Sequence, residues 1–251
     1  MEDGVTRREM IRMGTLSMAA GSLGGLITLE KAIAADDPKT RDSGAFSAKH
    51  QPRPLPFKAS KLKSLSEKLI TSHWENNYGG AVKNLNVVEA KLAALAKDKD
   101  ISPGIYVGTK REQQLRLGSM ILHEKYFGNL GGDGKIAGDI KEAVSTSFGG
   151  VDTWESEFRK TALGLSGGSG WVVLAYDLHL MRLENYWSWD HLHNLPASFP
   201  VLVLDVYEHA YHMDYGAQTA KYIDAFMSNV NWEEANKRLV SIRKAASGLM
   251  S

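Results

Sequence analysis

Residues 205–212 read DVYEHAYH and directly follow the apolar run VLVL at 201–204. A short run of Val and Leu predicts a buried strand, which places Asp205 at the end of that strand. A buried carboxylate is costly unless it is paired or binds a metal. Three more side chains of the stretch can bind a metal or move a proton: Glu208, His209 and His212. The Asp-x-x-x-His spacing alone fits either a metal site or an aspartate at a helix start followed by a hydrogen-bonded histidine.

The composition limits the chemistry available to such a site. The chain has 251 residues, of which 43% are hydrophobic and 24% are charged, as is typical of a globular protein. Its formal net charge of +1 predicts no broad basic surface and no nucleic-acid partner. Cysteine is absent, which excludes disulfides, zinc–thiolate sites, iron–sulfur clusters and thiol catalysis. Any metal must therefore be held by His, Asp, Glu or Tyr.

Residues 1–34 resemble a twin-arginine export signal. Arg7 and Arg8 precede a mildly apolar run at 13–29, and Ala32-Ile33-Ala34 matches a small-x-small cleavage pattern. The alternatives are a buried helix or a membrane span, but the run is too short and too weakly apolar to span a bilayer well. The resemblance implies the twin-arginine export machinery as a partner and a periplasmic location. Residues 35–58 contain four prolines and are expected to form a tether or an irregular arm.

Hydrophobic periodicity divides the remaining chain into two parts. Apolar residues recur at helical spacing along 60–96 and 110–127, which predicts two long helices in an antiparallel hairpin occupying 59–130. The part at 131–251 is predicted to contain helices at 136–148 and 151–164, strands at 171–176, 180–186 and 201–204, and helices at 218–227 and 232–247. This order predicts an α+β fold: an N-terminal antiparallel helical hairpin followed by an α+β domain with a small three-stranded antiparallel sheet.

Several motifs resemble those of the iron/manganese superoxide dismutases. The C-terminal motif is the most specific, and here it reads DVYEHAY, MDYG and KYIDAFMSNVNWEEANKRL within 205–239. Further segments that resemble the family are GLSGGSGW at 164–171, SWDHLHN at 188–194, LHEKYFGNL at 122–130 and SHWENNYGGAVKNLN at 72–86. The resemblance covers the chain from about residue 55 to its end, and it is looser in the N-terminal motif.

The resemblance implies a set of metal ligands and an activity. The implied ligands are His73, His123, Asp205 and His209, which would hold one iron or manganese ion per subunit. Three imidazoles and one carboxylate suit either metal, so the sequence does not choose between them. The implied reaction converts superoxide to oxygen and hydrogen peroxide. Glu208 matches a glutamate that binds a ligand histidine of the partner subunit in relatives, which implies a homodimer or a larger assembly. A helix carboxylate exposed to solvent is the alternative for Glu208.

Three residues are implied to surround the ligands. His191 matches the histidine with which one branch of the family hydrogen-bonds the solvent ligand of the metal, and His193 is the alternative. Tyr207 stands where the family usually has a tryptophan. Trp171 is expected to form an apolar wall of the site.

The substrate entrance departs from the family pattern. Ala81 stands in place of a gateway tyrosine, Asn77 in place of a histidine, and His212 in place of a second tyrosine. Asn76 and Thr219 stand where relatives carry basic residues, while Tyr78 and His212 are candidates to compensate. Losing fixed positive charge predicts slower encounter with an anion and weak dependence on ionic strength. A redox metalloprotein with altered activity is therefore the alternative function, and a metal-free binding scaffold is a third.

Overall fold

The computed structural model describes residues 44–249, so the predicted export signal at 1–34 lies outside the described residues. The helices are α1 (Glu67–Ser72), α2 (Gly79–Leu95), α3 (Pro103–Gly128), α4 (Asp139–Phe148), α5 (Val151–Gly164), α6 (His212–Tyr215), α7 (Thr219–Ser228) and α8 (Trp232–Leu249). The strands are β1 (Trp171–Asp177), β2 (Arg182–Ser188) and β3 (Ser198–Asp205). This arrangement confirms the predicted α+β fold with its helical hairpin and three-stranded antiparallel sheet.

The first arm of the hairpin is one helical run interrupted by a wider turn. A π-helical segment, His73–Tyr78, joins α1 to α2 immediately before Gly79 and Gly80. Ser66 caps α1, since its hydroxyl accepts a hydrogen bond from the Leu69 N–H at 3.0 Å. The helix therefore begins at Glu67, later than its apolar pattern predicts. The π turn rotates the following side chains relative to α1, and such turns are frequent at functional sites.

The second arm, α3, begins earlier than predicted because Pro103 stands in its first turn, where a fixed φ suits a helix and no N–H is needed. The arm ends next to the sheet. There the buried Asn129 side chain accepts a hydrogen bond from the Val203 N–H of β3 at 2.9 Å and donates to the Val201 carbonyl at 3.4 Å. Arg238 of α8 donates to the same amide oxygen and the same carbonyl, each at 3.1 Å. These bonds hold the end of α3 against β3.

Residues 44–58 have no regular secondary structure but lie fastened to the hairpin. His50 and Asn86 exchange hydrogen bonds between backbone and amide, at 2.8 and 2.9 Å. The His50 ring also lies 3.0 Å from the buried Glu89 carboxylate. Farther along, the Arg53 N–H donates to the Tyr78 hydroxyl at 2.7 Å, and Trp74 donates its indole N–H to the Arg53 carbonyl at 2.9 Å. The segment therefore behaves as an arm packed on the first helical run.

The sheet has the order β2-β1-β3, so β1 is the central strand. Every residue of β1 is buried, because α5 packs on β1 and β2 while α3 and α8 pack on β3. Strand β3 extends beyond the predicted apolar run and includes Pro200, which lies at a register irregularity opposite Ala175. An edge strand accepts proline there because one side of its backbone has no ladder bonds to make. Among residues 44–249, no helix is long and apolar enough to cross a membrane.

Candidate metal centre

Four side chains from four different elements converge in the interior. His73 begins the π segment, His123 lies in the last third of α3, Asp205 ends β3, and His209 lies in the short 3₁₀ turn Glu208–Ala210. Each offers one ligand atom, and these atoms lie within 4.8 Å of one another. The Asp205 Oδ2 atom lies 3.1 Å from His73 Nε2, 3.7 Å from His123 Nε2 and 3.2 Å from His209 Nε2. The structure thus brings together the ligands that the family resemblance implies.

Local hydrogen bonds orient two of the buried ligand side chains, Asp205 and His123. The Asp205 Oδ1 atom accepts from the Tyr207 N–H at 2.9 Å, which leaves Oδ2 to face the imidazoles. The Asp205 carbonyl accepts from the Tyr222 hydroxyl at 2.6 Å, so its backbone is also held. His123 donates from Nδ1 to the Ser119 carbonyl, one helical turn earlier, at 2.7 Å. A proton on Nδ1 leaves the lone pair on Nε2, which is the nitrogen that faces Asp205.

The protonation states in this cluster follow from its burial. Burial lowers the pKa of His73, and it lowers the pKa of His123 to about 3, with the neighbouring His73 adding to the effect. Both rings are therefore neutral near pH 7. Burial by itself would raise the pKa of Asp205, but His209 and His73 outweigh it and hold that pKa well below its usual value. The neutral rings of His73 and His123 and the charged Asp205 carboxylate together carry a charge of −1, which suits a cation.

The donor set passes a test for a resident metal. His123 Nε2 is buried and makes no hydrogen bond with any group of residues 44–249. A buried nitrogen lone pair without a donor is costly, and a metal ion would satisfy it. The nitrogen and oxygen donors, without any thiolate, match iron and manganese and lack the sulfur ligands that favour copper(I) or iron–sulfur clusters. The residues present therefore fit a mononuclear iron or manganese ion.

His191 lies beside this cluster, whereas His193 pairs with Asp190. Trp171 donates its indole N–H to His191 Nδ1 at 3.0 Å. The His191 ring lies 6.2 Å from the His123 ring, centroid to centroid, and stacks on Tyr207 at 5.1 Å. His193 instead lies 2.8 Å from an Asp190 carboxylate oxygen and packs against Trp189. The geometry therefore favours His191 over His193 for the outer-sphere role.

Two aromatic side chains, Tyr207 and Trp171, pack against the cluster. Tyr207 lies between the His191 and His209 rings and stacks on both, with an interplanar angle of 16° to the first and 22° to the second. Trp171 meets the His123 ring edge-on at 5.0 Å and is fully buried. Burial raises the pKa of Tyr207 to about 12, so its hydroxyl stays protonated.

A cleft of about 190 Å³ leads from the surface to His123 and His209. Asn76, Asn77 and Ala81 line it, so these entrance substitutions do lie where substrate would pass. Tyr78 is buried. Its hydroxyl accepts a hydrogen bond from the Arg53 N–H of the arm and donates one to Glu124 Oε1 at 3.1 Å. His212 is exposed on α6. Tyr78 and His212 are thus not part of this cleft wall.

Thr219, the second position where relatives carry a basic residue, lies away from the cleft. It is buried, and its hydroxyl lies 2.8 Å from that of Ser166. An arginine could not occupy that position without displacing this contact.

Two residues of the site escaped the sequence interpretation. Arg116 of α3 lines the cleft, although the entrance pattern suggested that no basic residue remained there. Its spacing of seven residues from His123 places both on one face of α3, a signal that the sequence does contain. Gly118, on the same helix, lies directly under the His191 backbone, since a Cβ there would overlap the His191 carbonyl oxygen. A lone glycine inside a helical pattern is a known sign of such a close approach.

The fold and the four converging ligands define a mononuclear metalloprotein with nitrogen and oxygen donors. The family model described as "Iron/manganese superoxide dismutases, C-terminal domain" matches residues 136–238. The chain is 49% identical over 193 residues to a "Superoxide dismutase [Fe]" of Cupriavidus metallidurans, which covers 76% of this chain and 97% of that protein.

Two further relatives carry different metals in their names. A "Superoxide dismutase [Fe]" of Aquifex aeolicus is 33% identical over 200 residues, or 77% of this chain and 92% of that protein. A "Superoxide dismutase [Mn]" of Mycobacterium avium is 32% identical over 189 residues, or 74% of this chain and 90% of that protein. The chain belongs to the iron/manganese superoxide dismutase family, which confirms the family predicted from its motifs.

Gly118→Ala tests how His191 is positioned. The added methyl group should push the loop that carries His191 away from α3 and break the Trp171–His191 hydrogen bond, with a loss of about 1–3 kcal/mol in stability from overpacking. The indole N–H resonance of Trp171 in an NMR spectrum and the free energy of unfolding would report the change. Gly108→Ala is the matched control, since Gly108 lies in the same helix with no atom near its would-be Cβ. An unchanged Trp171 resonance in Gly118→Ala would contradict the positioning role.

Proposed function

We propose that this chain acts as a superoxide dismutase at the His73, His123, Asp205 and His209 centre. The balanced reaction consumes two superoxide anions and two protons and produces one oxygen molecule and one hydrogen peroxide molecule. The observation that carries the proposal is the cluster of three imidazoles around the buried, charged Asp205 carboxylate, in a chain of this family. The enzyme is an oxidoreductase, and its cofactor is iron or manganese.

The cluster residues set the charge and shape of the site. When bound, iron or manganese supplies the one-electron couple that accepts an electron from one superoxide and returns an electron to the next. The Asp205 carboxylate lowers the net charge of the loaded site, which favours the more oxidised ion. The surrounding Trp171 and Tyr207 exclude water from one side, so the charge of Asp205 acts through a less polar medium.

His191 is the candidate proton-holding group beside the cleft. Its Nδ1 accepts from Trp171, so the neutral ring carries its proton on Nε2. Burial lowers the pKa of His191, which favours this neutral form near pH 7. The tautomer therefore offers a donor next to the cleft that leads to the ligands, where peroxide formation needs protons.

Altered redox activity on the same fold is the second candidate function. It is favoured by the cleft itself, where Ala81 and Asn77 stand in place of the hydrogen-bonding groups that the family pattern expects. The missing tyrosine hydroxyl removes one route for proton delivery and leaves room for a different small substrate. Under this alternative the same four ligands hold the same metal, while superoxide is a poor substrate.

A dimer contact through Glu208 completes the proposal for assembly. Glu208 is exposed and belongs to the same turn as His209. His209 approaches Asp205 through Nε2 and makes no hydrogen bond through Nδ1 to any group of residues 44–249. A metal-ligating histidine almost always donates its other ring N–H to an acceptor. Glu208 of a partner subunit would supply that acceptor across a twofold interface, where each contact is made twice.

Export to the periplasm by the twin-arginine machinery is proposed from the sequence of residues 1–34. The support is the Arg7-Arg8 pair, the weakly apolar run after it and the small-x-small pattern at Ala32 to Ala34. Superoxide is an anion that crosses membranes poorly, so a compartment exposed to it requires its own enzyme. Export after folding would also allow the metal to be acquired before transport.

Metal content and superoxide decay measured on one sample test the proposed activity. The isolated protein should hold close to one iron or manganese ion per chain and should accelerate superoxide decay. Asp205→Asn should weaken metal binding by at least about 100-fold and abolish catalysis, because it removes the charged ligand. Asp190→Asn is the control, since Asp190 contacts His193 and not the four ligands. Bound iron or manganese without accelerated decay would instead favour altered redox activity.

Glu208→Ala tests the assembly. If the carboxylate binds His209 of a partner, the dimer dissociation constant of the variant should be at least about tenfold higher than that of the native protein, while fresh samples keep their metal. Sedimentation equilibrium and metal analysis would measure both. Glu233→Ala, on an exposed surface of α8, is the matched control. A native protein that is monomeric at micromolar concentration and still holds metal would rule out the dimer contact.

Replacing Arg7 and Arg8 together by lysine tests export. The twin-arginine pathway reads the arginine pair, so the double variant should stay in the cytoplasm in its longer, uncleaved form. Cell fractionation and mass determination of the N-terminus would follow both proteins in one bacterial host. Replacing Arg12 by lysine is the control within the same segment. Unchanged periplasmic delivery of the double variant would exclude this route.

A further inference from the structure

The cleft that leads to the metal centre holds one permanently charged side chain. Of the described residues that line it, only Arg116 carries a fixed charge at neutral pH; the others near the entrance include the amides of Asn76, Asn77 and Asn84. Its helix also carries His123, two turns farther on. Fixed positive charge at the mouth of a narrow cleft attracts small anions and raises their local concentration.

Glu112 holds the guanidinium group of Arg116 in place without using all of its N–H donors. Its Nε and Nη2 atoms both lie 2.7 Å from the same Glu112 carboxylate oxygen, one turn earlier on α3. Nη1 makes no hydrogen bond with any group of residues 44–249. About a third of the Arg116 side chain, 35%, is exposed. The ion pair with Glu112 therefore orders the Arg116 side chain and leaves N–H groups available to donate to an anion in the cleft.

Arg116 and His191 line the same cleft. Burial is the main reason why the pKa of His191 is lowered; Asp205 and Asp190 oppose it, and His209 and Arg116 add smaller effects in the same direction as burial. The two side chains lie on the same cleft, with the metal ligands His123 and His209 at its inner end. An anion drawn towards Arg116 would therefore already be next to the proton that His191 holds.

We propose that Arg116 attracts and positions the anionic substrate in this cleft, in place of the basic residues that the family pattern puts at Asn76 and Thr219. The proposal rests on the proposed dismutase function for the identity of the anion, but not for the attraction of a small monovalent anion. It replaces the expectation of weak dependence on ionic strength, since a fixed charge at the entrance restores steering that salt can screen. Glu112 moderates the effect, because its carboxylate offsets part of the arginine charge.

A set of charge variants on α3 tests the proposal with azide as a monovalent anionic probe. Azide binding to the metal-loaded protein is measured by optical titration, and the rate of superoxide decay is measured across a range of ionic strength. Arg116→Gln should raise the azide Kd about tenfold and flatten the dependence on salt. Glu112→Gln should act in the opposite direction, lowering the azide Kd. Arg116→Lys should fall between the native protein and Arg116→Gln, since lysine keeps the charge without the planar group.

Arg111→Gln is the matched control, because Arg111 is exposed on the same helix and does not line the cleft. It makes the same change in net charge, and it should leave azide binding and the dependence on salt close to native values. Metal content and the midpoint of thermal unfolding are recorded for every variant. The opposite signs expected for Arg116→Gln and Glu112→Gln separate an effect of charge from a general loss of structure.

The outcomes separate this inference from the proposed activity. Azide affinity that is the same in the native protein, Arg116→Gln and Glu112→Gln would overturn the role of Arg116, whether or not superoxide is consumed. Azide affinity that follows the charge at Arg116 supports that role even if superoxide decay is not accelerated, in which case the proposed activity fails and the cleft serves another small anion. An equal effect of Arg111→Gln would also overturn it, since the effect would then reflect net charge alone.

Discussion

The charged carboxylate of Asp205, without exposure to solvent, is the constraint on which the rest of the structure depends. A lone carboxylate in such a place would cost several kcal/mol. Here one oxygen is satisfied by the Tyr207 N–H, and the other faces three imidazoles at 3.1 to 3.7 Å. The cost is offset only if all three rings arrive at the end of β3, so the elements that carry them must pack in one specific way.

Close approach between elements provides that packing. Asn129 joins the end of α3 to β3 through hydrogen bonds to its backbone, which sets the height of His123 relative to Asp205. Farther back on α3, Gly118 lets the His191 backbone lie against the helix. The π-helical segment that begins at His73 turns this ligand inward from the first helical run. Each of these three features depends on direct contact between neighbouring atoms. A shift of an ångström at any of them would separate the ligand atoms.

The positions of charged residues at the entrance are less strictly constrained than those of the metal ligands. Coordination acts over about 2 Å and requires each donor in one place, whereas attraction of an anion acts over a Debye length of about 8 Å in physiological salt. The ligands therefore match the family pattern residue by residue, while a charge at the entrance can be supplied from another helix. Arg116 on α3 in place of basic groups at Asn76 and Thr219 is an arrangement of this kind.

The sequence by itself determined the fold class, and its resemblance to a family pointed to the four residues that converge in the structure. Strands at 171–176 and 201–204 and the Asp205–His209 spacing are local patterns, and they survive in the structure because burial and backbone geometry act on neighbours in the chain. Helix starts at Glu67 and Pro103 differed from the apolar pattern because capping by Ser66 and the first-turn proline outweigh periodicity. Only the tertiary structure placed His191 beside the cluster and His193 against Asp190, bonded the Tyr78 hydroxyl to the arm and placed Arg116 in the cleft. The positions of His191 and Tyr78 depend on contacts between residues distant in sequence, which no local spacing encodes. Arg116 shares a face of α3 with His123, but only the packing of other elements around that face forms the cleft.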